Sequence, residues 1–466
     1  MFGLPYKKAF WLSFAIVAWI SAVTSLVNAQ PVYSRPAQPT PTPFKEVTIK
    51  TNGGTVSPTP FIQNTGIETP ADGVESKGGI LVMDLNGKVI RENNSMNAFN
   101  PASNVKVSTA YAVLKTFGPN YRFGTSVWSD GIIDSNTGTL TGNVYVSGKD
   151  PSFQYENAIE IAEALNKIGI RQINGDLIVS DRFIMGFNSS TQRSAESLFS
   201  TLSGSKRSSA AVRAWQSFLV AGGKLNQVQT NPSVEFSGGL YVDAIPSNAK
   251  LLFTHNSAPL KEIVKITLNY SNNFLAERLG DAVGGPFAVA GIIIRDTKVP
   301  ANEFYLQTSS GLGINRVTPH AQMEVLKTLR AFLAQYKMNF GDIMCISQSE
   351  PGTLERRSGL YRGSVVAKTG TLGQTDGGVS SLSGEMKTRN GTLLFVIFNQ
   401  KGGVNGYRRY QETLITSIQN QFGGAVPFGY PIISLPTRMA NTQTVFANSN
   451  ANNNTNNGTT RVRVLQ

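Results

Sequence analysis

The chain predicts an α+β fold in which one antiparallel five-stranded sheet is assembled from both ends of the sequence, covered by helices on its faces, and interrupted by an inserted, mainly β domain. Three observations predict it. Two short apolar runs lie near the start of the globular part and three near its end. Helical periodicities fall between them. A long stretch of short strands and turns separates the first helix from the others.

The first strands are 80–83 and 89–90, joined across Asn86-Gly87, a dipeptide suited to a type I′ turn. In 102–117 the apolar residues Val105, Ala110, Val113 and Leu114 recur at helical intervals and Gly118-Pro119 stops them, so a helix opens at Ser103. From about 121 to 254 the runs at 142–146, 175–179 and 239–242 read as strands, broken by one helical run at 158–168. Helical patterns return at 260–268, 273–283 and 319–336. Strands then follow at 364–368, 379–386 and 392–398, the last two joined across Asn390-Gly391, before a closing helix at 407–422. The principal domain is therefore expected over 61–122 and 255–430, with the insertion at 123–254.

The ends read differently. Lys7 and Lys8 precede an apolar run at 9–26, and Val27-Asn28-Ala29 offers small residues to a signal peptidase, so 1–29 is expected to be a secretory signal. Uncleaved, the same run would anchor the chain in a membrane. Either way the working part is expected outside the cytoplasm, in the periplasm or on the cell-wall side. Seven prolines within 30–60 mark an extended linker. Asn, Thr and Ser dominate 441–460, and 431–466 is expected to be a disordered Asn-rich tail.

A net charge of +13 favours anionic neighbours such as wall polymers or lipid head groups. Lys and Arg are scattered and no groove-reading motif is present, which argues against nucleic acid. Cys345 is the only cysteine, so no intrachain disulfide can form, and its apolar neighbours make it a core residue. His255 and His320 are the only histidines, and neither belongs to a metal-ligand pattern, so no metal or cofactor is expected. No Gly-x-Ser-x-Gly elbow supports a Ser-His-Asp triad.

A serine enzyme without histidine needs another base. Ser103-Asn104-Val105-Lys106 puts a hydroxyl and an amine at i, i+3 on one face of a helix start. There the unpaired backbone N–H groups also favour a developing oxyanion. An ordinary lysine has a pKa of about 10.4, so Lys106 must be shifted down by burial and by a neighbouring cation before it can accept a proton. Ser-x-x-Lys alone says little, because Ser203-Gly204-Ser205-Lys206 repeats it in a Gly/Ser loop. Ser271-Asn272-Asn273 supplies Ser-x-Asn, which Ser95-Met96-Asn97 also matches. Lys368-Thr369-Gly370-Thr371 follows a strand, where glycine admits a close ligand. In this order and setting the three elements form the combination of β-lactamases and penicillin-binding proteins.

With these motifs the chain resembles the class C low-molecular-mass penicillin-binding proteins, the D-alanyl-D-alanine carboxypeptidases/endopeptidases of the S13 peptidase type. The likeness runs from about Gly79 to Phe422 and includes Pro101-Ala102-Ser103, Gly118-Pro119-Asn120-Tyr121-Arg122-Phe123, Gly148-Lys149-Asp150-Pro151, Gly175-Asp176-Leu177, Ser310-Gly311-Leu312, Asn315-Arg316-Val317-Thr318-Pro319 and Ala367-Lys368-Thr369-Gly370-Thr371-Leu372. Ser103 and Ser271 lie 168 residues apart, a shorter gap than that family usually shows, and one much longer than in compact class A β-lactamases.

The resemblance implies a transpeptidase-like fold, peptidoglycan stem peptides as substrate, and β-lactams as covalent inhibitors. It implies Ser103 as nucleophile, Lys106 as base, and the backbone N–H groups of Ser103 and Thr371 as the oxyanion site. Ser271 would relay a proton and Asn273 would orient Lys106. Lys368 would supply the cation, and Thr369, Gly370 and Thr371 would bind substrate. The competing readings are a β-lactamase or esterase on the same fold, and a catalytically silent wall-binding protein.

Overall fold

The computed structural model describes residues 77–226 and 231–447, so the expected signal, the linker and residues 448–466 of the tail lie outside the described residues. Strands β1 (Gly78–Asp84) and β2 (Val89–Asn93) form the hairpin across Asn86-Gly87. A 3-10 turn at Ala102–Asn104 leads into α1 (Val105–Phe117), which is buried continuously from Val105 to Leu114, as befits a helix enclosed by others.

The insertion contributes β3 (Gly124–Ser129), β4 (Val144–Gly148), α2 (Tyr155–Lys167), β5 (Leu177–Val179), α3 (Thr191–Leu202), α4 (Ser209–Ala221), β6 (Leu240–Val242) and β7 (Lys250–Asn256). Four helices follow: α5 (Leu260–Asn269), α6 (Asn273–Ala282), α7 (Pro286–Thr297) and α8 (Pro319–Gln335). The chain then forms β8 (Cys345–Ile346), β9 (Val365–Leu372), β10 (Val379–Thr388), β11 (Gly391–Gln400) and α9 (Val404–Gln421), and ends its described part with α10 (Leu435–Met439) and β12 (Gln443–Phe446).

The main sheet has the order β8-β9-β10-β11-β1-β2 and is antiparallel throughout, so the first hairpin closes onto the last strand with Ile80 opposite Ile397. It contains the five expected strands and gains the two-residue β8 at one edge. Alternation along β11 sends Val396 and Phe398 to a core shared with α1, α5 and α8. Phe395 and Ile397 point the other way, to a core with Tyr410, Leu414 and Ile418 of α9.

Two expectations are corrected. The insertion is mixed rather than mainly β: its larger sheet runs β6-β5-β4-β3-β7-β12 with parallel pairs β6/β5 and β5/β4, a smaller sheet joins the short strands Ile132–Asp134, Thr139–Thr141, Gln172–Asn174 and Glu235–Phe236, and three helices accompany the two. Helices α3 and α4, which the periodicity does not predict, are opened by Ser190 and Ser208, N-caps whose hydroxyls accept from the N–H groups of Arg193 and Ala211. The Asn-rich tail does not start at 431. Strand β12 pairs with β7, Arg438 of α10 makes a 2.7 Å ion pair with Glu262 of α5, and Thr442 donates to Glu160 of α2 at 2.6 Å. Tertiary contacts thus order residues whose composition reads as disordered.

Candidate active site

The turn that opens α1 is held from below. Asn104, wholly buried, donates to Ser381 Oγ at 2.7 Å and accepts from Ser383 Oγ at 2.6 Å, while Ser381 Oγ donates to the Pro101 carbonyl at 2.6 Å. Its amide thereby joins two buried strand hydroxyls to the turn, one of which also accepts from Gln322 Nε2 at 3.3 Å. Ala102 sits at φ +48, a left-handed conformation sparsely populated by residues with a side chain and often found at functional sites. Ser103 emerges from this turn partly exposed.

Two glycines let other segments close on the turn. A Cβ on Gly311, at φ +88, would lie 1.9 Å from the Ala102 carbonyl oxygen. One on Gly370 of β9 would lie 2.1 Å from Ser381 Oγ and 2.9 Å from Ser103 N. The strand carrying Lys368-Thr369-Gly370-Thr371 therefore runs directly against the backbone of Ser103.

Lys106, one helical turn on and 1% exposed, directs its Nζ to three atoms: Ser103 Oγ at 3.0 Å, Asn273 Oδ1 at 2.7 Å and the Ser310 carbonyl at 2.5 Å. Burial holds its pKa well below the ordinary lysine value, and the Lys368 charge pushes it lower still. The Glu277 carboxylate pulls the other way. A neutral amine has two hydrogens and one lone pair. In that form its two hydrogens match the Asn273 and Ser310 carbonyl oxygens and its lone pair is available to the Ser103 hydroxyl.

Ser271 follows α5 at φ +55, and Asn273 begins α6, where Asn272 caps the helix by accepting from Leu275 N at 3.0 Å. Lys368 Nζ donates to Ser271 Oγ at 2.9 Å and to the Thr369 carbonyl at 2.5 Å. Its complete burial brings the pKa down to about 7. Thr369 is partly exposed and Thr371 exposed, so both hydroxyls are open to a ligand. The eight residues singled out from sequence thus fall into one place: Ser103, Lys106 and Asn273 in one hydrogen-bonded group, Ser271 and Lys368 in a second, and Thr369, Gly370 and Thr371 along the strand beside them.

The repeated motifs resolve elsewhere. Ser203 Oγ donates to Glu235 at 2.6 Å and accepts from the Lys206 backbone N–H at 3.3 Å, while the Lys206 amine lies over the Phe199 ring. Asn97 Nδ2 donates to Asn94 within a turn. His255 is buried in β7 against Phe153, with its pKa pressed down to about 3 by desolvation, and His320 pairs with Glu303 at 2.8 Å.

Sequence reasoning missed two contributors. Glu277 of α6 accepts from Ser309 N at 3.1 Å and Ser310 N at 3.0 Å, fixing the loop whose Ser310 carbonyl meets Lys106. Its signal was available, since it stands four residues after Asn273 on one helix face. Asp376 forms a two-bond ion pair with Arg316, at 3.0 and 2.9 Å, and accepts from Asn100 at 2.7 Å, tying the loop after β9 to the segment that precedes Ser103.

The profile of the D-Ala-D-Ala carboxypeptidase 3 (S13) family matches residues 68–197 and 188–415. A D-alanyl-D-alanine carboxypeptidase of Actinomadura sp. (strain R39) is 23% identical over 80% of this chain and 86% of its own length. In structure the chain is similar to a predatory peptidoglycan endopeptidase from Bdellovibrio bacteriovorus, solved also in a penicillin G-acylated form. That acylated form has a TM-score of 0.67 and 21% identity, over 79% of this chain and 99% of that one. Penicillin-binding protein 4 from Haemophilus influenzae gives a TM-score of 0.54 and 21% identity, over 75% and 97%.

Proposed function

The chain belongs to the D-Ala-D-Ala carboxypeptidase 3 (S13) family of serine peptidases, and from that premise we propose how its own residues cleave a peptidoglycan stem peptide after the penultimate D-alanine. The observation that carries the reading is the buried Lys106 amine held 3.0 Å from Ser103 Oγ, with its pKa brought well below the ordinary lysine value first by burial and then by the Lys368 charge.

Ser103 Oγ attacks the carbonyl carbon while Lys106 takes the hydroxyl proton. The backbone N–H groups of Ser103 and Thr371 receive the oxyanion, as a pair of preorganised donors fixed before the charge appears. The C–N bond then breaks, and the proton held by Lys106 reaches the departing amine through Ser271. Asn273 keeps Lys106 oriented. Lys368 lowers the pKa of Lys106 and attracts the terminal carboxylate, which the hydroxyls of Thr369 and Thr371 hold beside Gly370. Water cleaves the acyl-enzyme by the reverse use of Lys106 and frees Ser103. A terminal D-alanine as leaving group makes the enzyme a carboxypeptidase, and a cross-linked stem makes it an endopeptidase. A β-lactam acylates Ser103 by the same attack and departs slowly.

The substrate places the domain outside the cytoplasm, in keeping with the export signal read at 1–29. Fluorescent penicillin is expected to label the protein and Ser103→Ala to abolish the label, alongside D-alanine release from a pentapeptide and scission of a cross-linked dimer. Rapid turnover of nitrocefin without D-alanine release would favour a β-lactamase. Wall binding that survives Ser103→Ala in a parent without any turnover would favour a silent binding protein.

A further inference from the structure

The carboxylate end of the site holds a cation that the three motifs do not contain. Arg408, in the second turn of α9, donates from Nη2 to Thr371 Oγ1 at 3.1 Å. The hydroxyl that accepts this bond has its own hydrogen free to turn toward a ligand. Arg408 is partly exposed and Thr371 is exposed, so guanidinium and hydroxyl face the same solvent.

The acid best placed by helical spacing to neutralise Arg408 is Glu412, and it is engaged elsewhere. One oxygen pairs with the Arg357 guanidinium, and the other accepts from Gly359 N at 2.9 Å. Among the described residues no carboxylate pairs with Arg408. The start of α9 is rigid as well: buried Tyr407 donates to the Gln400 carbonyl at 2.7 Å, Gln400 Oε1 accepts from Asn100 N, and Arg357 donates to the Arg408 carbonyl at 3.2 Å. A planar fork of donors is thus held, uncompensated, beside a hydroxyl already assigned to a carboxylate.

We propose that Arg408 is a specificity-determining residue, which binds the free C-terminal carboxylate of the substrate together with Thr371 and selects for peptides that end in one. The inference rests on the function proposed above. It also divides the work between two cations: Lys368, buried, acts mainly on Lys106 and Ser271, while Arg408 meets the substrate at the open edge.

The test compares the parent enzyme, Arg408→Ala and Arg408→Lys on a peptide ending in D-Ala-D-Ala and on its C-terminal amide, and on penicillin G and its methyl ester. With the free carboxylates, Arg408→Ala is expected to lower kcat/KM and the acylation rate constant on the order of tenfold or more, chiefly through KM, the scale of one lost charged hydrogen bond. The amide and the ester are expected to change less than about twofold, and Arg408→Lys to recover part of the loss. Equal losses with charged and capped ligands, or no loss at all, would overturn the proposal while leaving the peptidase reading intact. A parent enzyme that neither releases D-alanine nor is acylated would overturn that reading, and this inference with it.

Discussion

Glu277→Gln removes a charge and alters very little volume, and two consequences can be worked out. The carboxylate accepts two backbone bonds, from Ser309 and Ser310. Each charge-assisted bond is worth about 1.5–3 kcal/mol, whereas the amide keeps one neutral bond of about 0.5–1.5 kcal/mol and turns an N–H against the other donor. The hold on the 309–310 loop therefore weakens by about 2.5–4.5 kcal/mol. Only the share that reaches the Ser310 carbonyl at Lys106 Nζ affects chemistry, one hydrogen bond or about tenfold in the acylation plateau. The second consequence is electrostatic. Glu277 raises the pKa of Lys106, so its loss lowers that pKa further and more of the base is neutral at low pH. Stopped-flow acylation by penicillin across a pH series is expected to show a lower plateau together with an acid limb displaced to lower pH. A limb that stayed in place or moved to higher pH would refute the placing of Glu277 beside the base, whatever happened to the plateau.

Two other predictions concern charge. On the proposed mechanism Lys106 acts when neutral, so kcat/KM rises with pH through its lowered pKa, and Lys368 acts when charged, a charge that its pKa of about 7 keeps below that pH and removes above it. The free-enzyme profile is expected to be bell-shaped with an alkaline limb from about 7, and Lys368→Arg, which stays charged, is expected to move that limb upward. An unmoved limb in the variant would assign it to another group. In the second, Arg438→Ala strands the buried Glu262 carboxylate, and breaking such a pair costs about 3–5 kcal/mol. Chemical denaturation is expected to show that loss, and a midpoint unchanged from the parent would show that α10 does not stabilise the described fold.

The main sheet was legible because apolar runs and Asn-Gly turns act over a few residues: β1 and β2, and β10 and β11, are joined across such turns, and β9 shows as an apolar run. The two-residue β8 was not, since pairing alone makes it a strand. Helices α3 and α4 were hidden by Ser-rich flanks whose role as caps depends on hydrogen bonds that a composition does not display. Strand β12 forms where an Asn- and Thr-rich segment meets the open edge of β7, so its order comes from a partner nearly two hundred residues away in sequence.

The sequence by itself determined the chemistry: a hydroxyl and an amine one helical turn apart, a Ser-x-Asn before a helix, and a lysine with glycine on a strand. Those signals are local, because each depends on spacing within a single element. Tertiary structure alone decided the environment of that lysine. The Ser310 carbonyl that takes one of its hydrogens, the Glu277 that holds that carbonyl, and the burial that lowers its pKa are brought together from segments far apart in the chain, and a backbone carbonyl has no side chain by which to be read.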